Sequence, residues 1–128
     1  MLNDSKAQRL QGQRGEQLVA YYLQERGYTI HALNYKKRFG EVDIIAQKHT
    51  TIAFIEVKTR TKASHCTSEL VNSSKQRKII LVAKEYISRQ RTTACSYRFD
   101  VALIDESDQT TPKITYIENA FYGSEWQD

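Results

Sequence analysis

The chain has 128 residues, 40% hydrophobic and 27% charged, so we expect one globular domain, residues 1–128, and not a disordered chain. Its longest strongly apolar stretch, Ile79–Ala83, is far shorter than the roughly 20 residues of a membrane-spanning helix. Two cysteines cannot form a disulfide framework, and the N-terminus lacks a signal-peptide core, so we expect a cytoplasmic location without membrane contact. The net charge of +4 divides into +9 for residues 1–91 (17 basic, 8 acidic) and −5 for residues 92–128 (2 basic, 7 acidic). This balance suggests a polyanionic partner such as nucleic acid, although a basic chain can also owe its charge to solubility alone.

The first predicted element is a helix from Asp4, which can cap it, to about Arg26, with Gly27 as the C-terminal stop. Gly12 and Gly15 weaken this helix, since each glycine costs roughly 1 kcal/mol relative to alanine. Close packing of the helix against a sheet or a substrate backbone would explain both glycines.

The later elements follow from the spacing of the apolar residues. They are, in chain order, strands at 28–35, 41–47 and 51–59, a polar loop from residue 60, an amphipathic helix at 73–89, and strands at 98–104 and 113–117. The order αβββαββ predicts an α/β fold with a mixed β-sheet flanked by helices. The long second helix predicts a parallel crossover to the strand that follows it.

Charged residues interrupt the second and third strands, where an unpaired buried charge would be costly. Alternation places three side chains of each strand on one face, namely Glu41, Asp43 and Ile45, then Phe54, Glu56 and Lys58. A turn at His49-Thr50, or a four-residue loop at Lys48–Thr51, pairs Ile45 with Phe54, Asp43 with Glu56 and Glu41 with Lys58. An odd loop would put Asp43 and Glu56 on opposite faces, and the apolar pattern alone does not decide between the two registers.

With even pairing, the carboxylates of Asp43 and Glu56 lie side by side, which is unfavourable unless a proton or a cation intervenes. Mg²⁺ or Mn²⁺ would suit these oxygens, and Lys58 could then orient a water for phosphodiester hydrolysis. The simpler alternative is a Glu41–Lys58 ion pair with solvent-facing Asp43 and Glu56. On the first helix, Glu16 shares a side with small and apolar residues, so it either extends the acidic cluster or pairs with a nearby Lys or Arg.

Four motifs together resemble the PD-(D/E)xK nuclease superfamily, which has the restriction-endonuclease-like fold. They are GE (Gly15, Glu16), GEVD (Gly40–Asp43), IEVK (Ile55–Lys58) and KQ (Lys75, Gln76). The chain is most similar to the YraN-type family of small bacterial proteins, and beyond it to the archaeal Holliday-junction resolvases. The likeness covers almost the whole chain, including RFDVALI at Arg98–Ile104.

The resemblance implies site residues, position by position. It implies that Asp43, Glu56, the carbonyl of Val57 and Glu16 bind the metal ion. Lys58 matches the catalytic lysine, and Glu16 matches a helix glutamate of the resolvase-like branch. The implied catalytic set is thus Glu16, Asp43, Glu56, Lys58 and Gln76, of which Gln76 supports the site from the second helix.

Two aromatic residues flank three cations at Tyr35–Phe39, a segment that could hold phosphates, stack on unpaired bases, or be merely a solvated basic turn. The predicted nucleic-acid contacts are Lys36, Lys37, Arg38, Arg60 and Lys75. His31, His49 and His65 lack the spacing of metal ligands, and Cys66 has no evident partner for nucleophilic chemistry. We favour Asp100 as a strand-end hydrogen-bond acceptor over a supporting role in the site.

We therefore expect a Mg²⁺- or Mn²⁺-dependent DNA endonuclease, acting on branched, Holliday-junction-like DNA if the resemblance extends so far. The likeness to resolvases also implies a homodimer, since two sites are needed to cut two strands symmetrically. The alternative is a non-catalytic nucleic-acid-binding module on a nuclease scaffold. An RNA-directed nuclease stays open as well, because nothing in the sequence indicates how a 2′-hydroxyl would be read.

Overall fold

The computed structural model describes residues 4–60, 71–90, 96–107 and 111–121. Its elements are α1 Asp4–Glu25, β1 Thr29–Lys37, β2 Gly40–Lys48, β3 Thr51–Arg60, α2 Ser73–Arg89, β4 Ser96–Asp105 and β5 Lys113–Ile117. This is the predicted order αβββαββ, and the bounds lie within about two residues of the predicted ones. Most of the predicted loop between β3 and α2 lies outside the described residues. Within the described ranges, no helix is long and apolar enough to cross a membrane.

The five strands form one mixed sheet in the order β1-β2-β3-β4-β5. Neighbouring strands are antiparallel except β3 and β4, which run parallel from Thr51 opposite Ser96 to Arg60 opposite Asp105. Helix α2 lies between β3 and β4 in the chain, so the predicted parallel crossover is confirmed.

The two helices cover opposite faces of the sheet, which is why both faces of the central strands are apolar. The core under α2 includes Ile45, Phe54, Val82, Tyr86 and Val101. The core under α1 includes Val19, Leu23, Ile44, Ile55 and Ala102. Consecutive strand residues therefore enter different cores, and each strand is fixed from both sides.

Helix α1 docks closely on β3 and β4 because residue 15 is glycine. A Cβ atom there would lie 3.1 Å from Ile104 Cδ1 and 3.3 Å from Thr59 Oγ1, which is tighter than ordinary contact. The predicted reason for the helix glycines thus holds at Gly15, while the surroundings of Gly12 lie outside the description. Gly27 follows the helix with a φ of +92°, the left-handed conformation of a C-terminal stop.

The hairpin of β2 and β3 turns at His49 and Thr50, so the predicted even register is confirmed. Lys48 lies opposite Thr51, and Ile45 lies opposite Phe54. His49 adopts a φ of +54°, and its carbonyl accepts a 2.8 Å hydrogen bond from the Gln47 side chain. This bond holds in place a turn conformation that residues other than glycine seldom adopt.

Asp100 anchors the far side of the sheet and has none of its surface exposed. Its carboxylate accepts hydrogen bonds from Arg98 Nε at 2.9 and 3.0 Å, Tyr116 Oη at 2.5 Å and the Asn119 N–H at 3.0 Å. Arg98 also donates to Tyr28 Oη at 2.6 Å. Asp100 is therefore an acceptor, the role favoured from the sequence, although it lies within β4 and not at its end.

Candidate functional site

Asp43 lies where β2 and β3 separate. The ladder between these strands ends at Ile44 opposite Ile55, and beyond it the Asp43 carboxylate accepts a 2.8 Å hydrogen bond from the Val57 N–H. A side chain thus replaces the strand partner of Val57 and leaves a gap between adjacent strands. The N–H and C=O of one strand residue point to the same side, so the Val57 carbonyl faces this gap too.

The expectation that Glu41, Asp43 and Ile45 share one face is wrong. Val42 is only 1% exposed and packs with Ile45 in the core under α2, whereas Ile44 packs in the core under α1. Strict alternation would put Val42 and Ile44 on the same face, so the alternation breaks at Asp43. This break turns the Asp43 carboxylate toward β3.

The expected pairing of Glu41 with Lys58 is also wrong. Glu41 instead lies opposite Lys36 of β1, with Lys36 Nζ 3.9 Å from Glu41 Oε2. Side-chain exposures of 70% and 53% mean that this pair contributes little stability. The simpler alternative, an exposed cross-strand ion pair, therefore does not account for the charges of β3.

Glu56 is the most unusual group of the cluster, since it is charged by type and only 5% exposed. Burial first, and then hydrogen bonding and charge repulsion from Asp43, raise the pKa of Glu56 to about 8. Lys75 Nζ lies 3.2 Å from Glu56 Oε2 and opposes this rise. The contact is not well aligned for a hydrogen bond, so Lys75 acts on this buried oxygen as an ion-pair partner.

Two lysines adjoin the acidic pair, and their pKa values shift in opposite directions. Burial and the neighbouring Lys75 charge lower the pKa of Lys58. Burial alone would also lower the pKa of Lys75, but the interactions with Glu56 and Asp43 outweigh burial and raise it. Lys58 is therefore the cation that can more readily give up a proton.

Glu16 reaches the same region from α1. Its carboxylate accepts a 2.5 Å hydrogen bond from Asn34 Nδ2, and burial followed by the charge of Asp43 raises its pKa. Its hydrogen-bond partner is thus an amide of β1 and not the Lys or Arg that the alternative required. Glu16 extends the acidic cluster on the α1 side of the sheet.

The Gln76 side chain points back to the residues that precede α2. Its Nε2 donates to the Val71 carbonyl at 2.7 Å, and its N–H donates to the Asn72 carbonyl at 2.9 Å. Asn72 caps the helix through its side chain, which accepts from the Lys75 N–H at 2.9 Å. These bonds fix the first turn of α2, and so fix the helix position from which Lys75 reaches Glu56.

The oxygen atoms of this cluster suit a divalent cation that takes only a few of its ligands from the protein. The carboxylates of Glu56 and Asp43 and the carbonyl of Val57 are hard oxygen donors, which Mg²⁺ and Mn²⁺ prefer. No three His, Cys, Asp or Glu side chains in the described part of the chain converge as a metal cage. Mg²⁺ commonly uses only one or two carboxylates and completes its shell with water and phosphate, so two carboxylates suffice.

The residues predicted to contact nucleic acid differ in exposure and in their partners. Lys36 and Arg38 are exposed at the turn between β1 and β2, and Lys75 is half-buried beside Glu56. Lys37 is turned away, with its Nζ 3.7 Å from Glu85 Oε1. The side chain of Arg60 lies outside the described part of the structure.

The sequence reasoning overlooked Asn34 and Lys78. Asn34 has a φ of +52° within β1, and this conformation is more common for Asn than for most residues other than glycine. An asparagine inside an apolar strand pattern was the signal for it. Lys78 lines a groove with Lys75, and their three-residue spacing on a helix was its signal.

The other reactive residue types contribute nothing to this cluster within the described ranges. His31 Nδ1 shares a 2.6 Å hydrogen bond with Tyr86 Oη, and His49 belongs to the turn after β2. His65 and Cys66 lie outside the described residues.

The five-stranded mixed sheet, its helix on each face and the order αβββαββ define a restriction-endonuclease-like domain. The family described as "Uncharacterised protein family UPF0102" matches residues 15–104, more than half of the chain. The chain belongs to this family, which is the YraN-type family of the restriction-endonuclease-like superfamily expected from the motifs.

Relatives from several bacteria agree with this membership. The chain is 43% identical over 111 residues to a UPF0102 protein of Alkaliphilus metalliredigens, covering 86% of this chain and 96% of the relative. It is 50% identical over 95 residues to one of Chlorobium phaeobacteroides, covering 73% and 74%. A UPF0102 protein of Geobacter metallireducens is 42% identical over 111 residues, covering 86% and 90%. These names give a family and no reaction, so the reaction is argued from the site.

Proposed function

We propose that this protein is a Mg²⁺- or Mn²⁺-dependent DNA endonuclease that hydrolyses phosphodiester bonds at the Asp43–Glu56 pair. The observation that carries the proposal is the buried Glu56, whose carboxylate is pressed against Asp43 and whose pKa is raised despite the Lys75 ammonium 3.2 Å away. A protein gains nothing in stability by burying an acid beside another acid. A site that recruits a cation accounts for this arrangement.

In the proposed mechanism Asp43, Glu56 and the Val57 carbonyl would hold the metal ion, which when bound would supply Lewis-acid activation of water and charge compensation for the phosphate. Lys58 lies beside the pair and orients the attacking water, whose oxygen bonds to phosphorus as the bond to the leaving oxygen breaks. Its lowered pKa lets Lys58 take part in proton transfer, either to the leaving oxygen or from the water. Glu16 and Gln76 act at a distance, Glu16 through its charge on Asp43 and Gln76 by fixing the start of α2.

The proposed substrate is DNA in the cytoplasm, since the exposed cations beside the site suit phosphates. The likeness to resolvases favours branched DNA, cut by a homodimer with one site for each strand.

A cleavage panel of junction, flap, single-stranded and duplex DNA with Mg²⁺, Mn²⁺ or EDTA tests the proposal. We expect metal-dependent products from the parent and a loss on the order of 10²–10⁴ in rate for Asp43→Ala and Lys58→Ala. Both variants should keep the circular dichroism spectrum and DNA affinity of the parent, and Lys113→Gln, on the exposed edge strand β5, should cleave normally. Equal cleavage by parent and Asp43→Ala would mean that the activity arises elsewhere.

A non-catalytic nucleic-acid-binding module is the second candidate, favoured by the contact between Lys75 and Glu56. An ammonium 3.2 Å from the buried carboxylate offsets its charge without any metal ion. This candidate predicts DNA binding that weakens with salt, through counterion release, and no metal-dependent product in the same panel.

A further inference from the structure

A groove runs between the turn from β1 to β2 and the first turns of α2. It consists of two adjoining depressions of about 360 Å³ each, which share Gly40, Glu41 and Lys78. The outer depression reaches Arg38 and Phe39, and the inner one reaches Asn72, Ser74 and Lys75. The groove therefore leads from the tip of a hairpin to the lysine that contacts Glu56.

Gly40 brings the two walls of the groove together. A Cβ atom at this position would lie 3.0 Å from Lys78 Cβ and 3.2 Å from the Lys78 carbonyl oxygen, so a larger residue would push α2 away. Lys75 and Lys78 are three residues apart on α2, which places both on the same side of the helix. The spacing between Lys75 and Lys78 thus follows from the geometry of α2. Gly40 sets how closely both lysines approach the hairpin of β1 and β2.

The walls of the groove carry mostly positive charge. Arg38 and Lys78 are exposed, and Lys36 is 70% exposed with only a 3.9 Å approach to Glu41 as compensation. Glu41 is the acid that lines both depressions, and it is itself 53% exposed. A chain of phosphates complements this distribution, because each phosphate carries one negative charge and accepts hydrogen bonds.

Phe39 stands at the outer end of this basic groove, in the two-residue turn between Lys37 and Gly40. It is 43% exposed, whereas Phe54 and Phe99 are buried in the core. An exposed ring flanked by cations suits an unpaired base, because stacking requires a free face of the base.

We propose that this groove binds a nucleic-acid strand with unpaired nucleotides, with phosphates along Arg38, Lys78 and Lys75 and an unpaired base on Phe39. The inference rests on the proposed function and names its substrate class. Flaps, junctions and single strands offer an unpaired base to Phe39, so they bind better than blunt duplex.

Binding measured in EDTA tests this independently of cleavage. The probes are a single strand and a flap that carry 2-aminopurine, with a blunt duplex for comparison, and the variants are Phe39→Leu, Phe39→Trp and Lys78→Gln. We expect Phe39→Leu to bind the unpaired probes roughly 5- to 100-fold more weakly and to lose 2-aminopurine quenching, with little change for duplex. Phe39→Trp should restore both, because it restores a stacking ring. Lys78→Gln should weaken all probes and reduce the slope of log K against log salt by about 0.7 on the single strand.

Two matched controls lie away from the groove and should bind as the parent does. Tyr21→Leu removes a 62% exposed ring from α1, on the other face of the sheet, and Lys113→Gln removes an exposed cation from β5. Equal loss of single-strand and duplex binding in Phe39→Leu, or no loss, would overturn the inference. Binding that depends on Phe39 without any cleavage would support the proposed strand binding in the groove and contradict the proposed nuclease activity. Metal-dependent cleavage that ignores Phe39 would retain the nuclease and reject the groove.

Discussion

Glu56 combines three features that rarely occur together in one side chain: it is acidic, nearly fully buried and adjacent to a second acid. The fold tolerates it because Lys75 approaches one oxygen, and because a proton can occupy the carboxyl when no cation is present. The same residue therefore lowers the stability of the metal-free protein at high pH and supplies a metal ligand when charged.

The pH dependence of stability should reveal Glu56. Its pKa is raised from 4.5 to about 8, so between these values the native state holds a proton that the unfolded state has released. The free energy of unfolding should fall as pH rises through this window, by about 2–4 kcal/mol, with no contribution below pH 4.5 and the full loss above about 8.

Urea denaturation of the parent and Glu56→Gln in EDTA, from pH 5 to 8.5, measures this effect. The amide keeps the shape of the side chain but does not titrate. The free energy of unfolding of the variant should therefore increase relative to that of the parent as pH rises. Glu41→Gln, at a more than half-exposed position, is the control and should follow the parent. Parallel curves for the parent and Glu56→Gln would contradict the raised pKa.

The Asp100 network joins β4 and β5 to the turn that follows α1. Arg98 and Asp100 belong to β4, Tyr116 to β5, and Tyr28 to the turn between α1 and β1. The Asp100 carboxylate accepts hydrogen bonds from β4, from β5 and from the backbone after β5. None of these donors belongs to the candidate site.

Replacing Asp100 by asparagine should be strongly destabilising. The Arg98 guanidinium would lose the carboxylate that its NH2 contacts at 2.9 Å, and breaking such a buried pair costs about 3–5 kcal/mol. Chemical denaturation measures this loss, and Glu118→Gln is the control, because Glu118 is 61% exposed and lies 3.7 Å from Arg98. A loss below 1 kcal/mol for Asp100→Asn would show that the network is dispensable.

The whole molecule should report metal binding through its stability, since a ligand that binds only the native state stabilises it by mass action. At a Mn²⁺ concentration 100 times the dissociation constant, the gain is about 2.7 kcal/mol, with a corresponding rise in Tm. Asp43→Asn should abolish the rise while unfolding cooperatively in EDTA. A Tm for the parent that does not respond to Mg²⁺ or Mn²⁺ would contradict the proposed cofactor.

The fold of the whole domain was largely predictable from the chain. Each element has its own local pattern of apolar residues, whereas the pairing of Ile45 with Phe54, one of two registers left open by the sequence, was decided by the structure. The candidate site was predictable only in its residue types. Alternation failed at Asp43, and Glu41 pairs with Lys36 instead of Lys58, because packing of Val42 under α2 overrides the regular strand period.

The sequence by itself determined the order of elements and the parallel crossover and proposed the acids and lysine of the candidate site, since these depend on residue types and spacings within short segments. Only the tertiary structure decided that Asp43 caps the Val57 N–H, that Lys75 meets Glu56 and that Asn34 holds Glu16. Each of these contacts joins two elements. Their geometry therefore depends on how both helices pack on the sheet, and no local pattern encodes that packing.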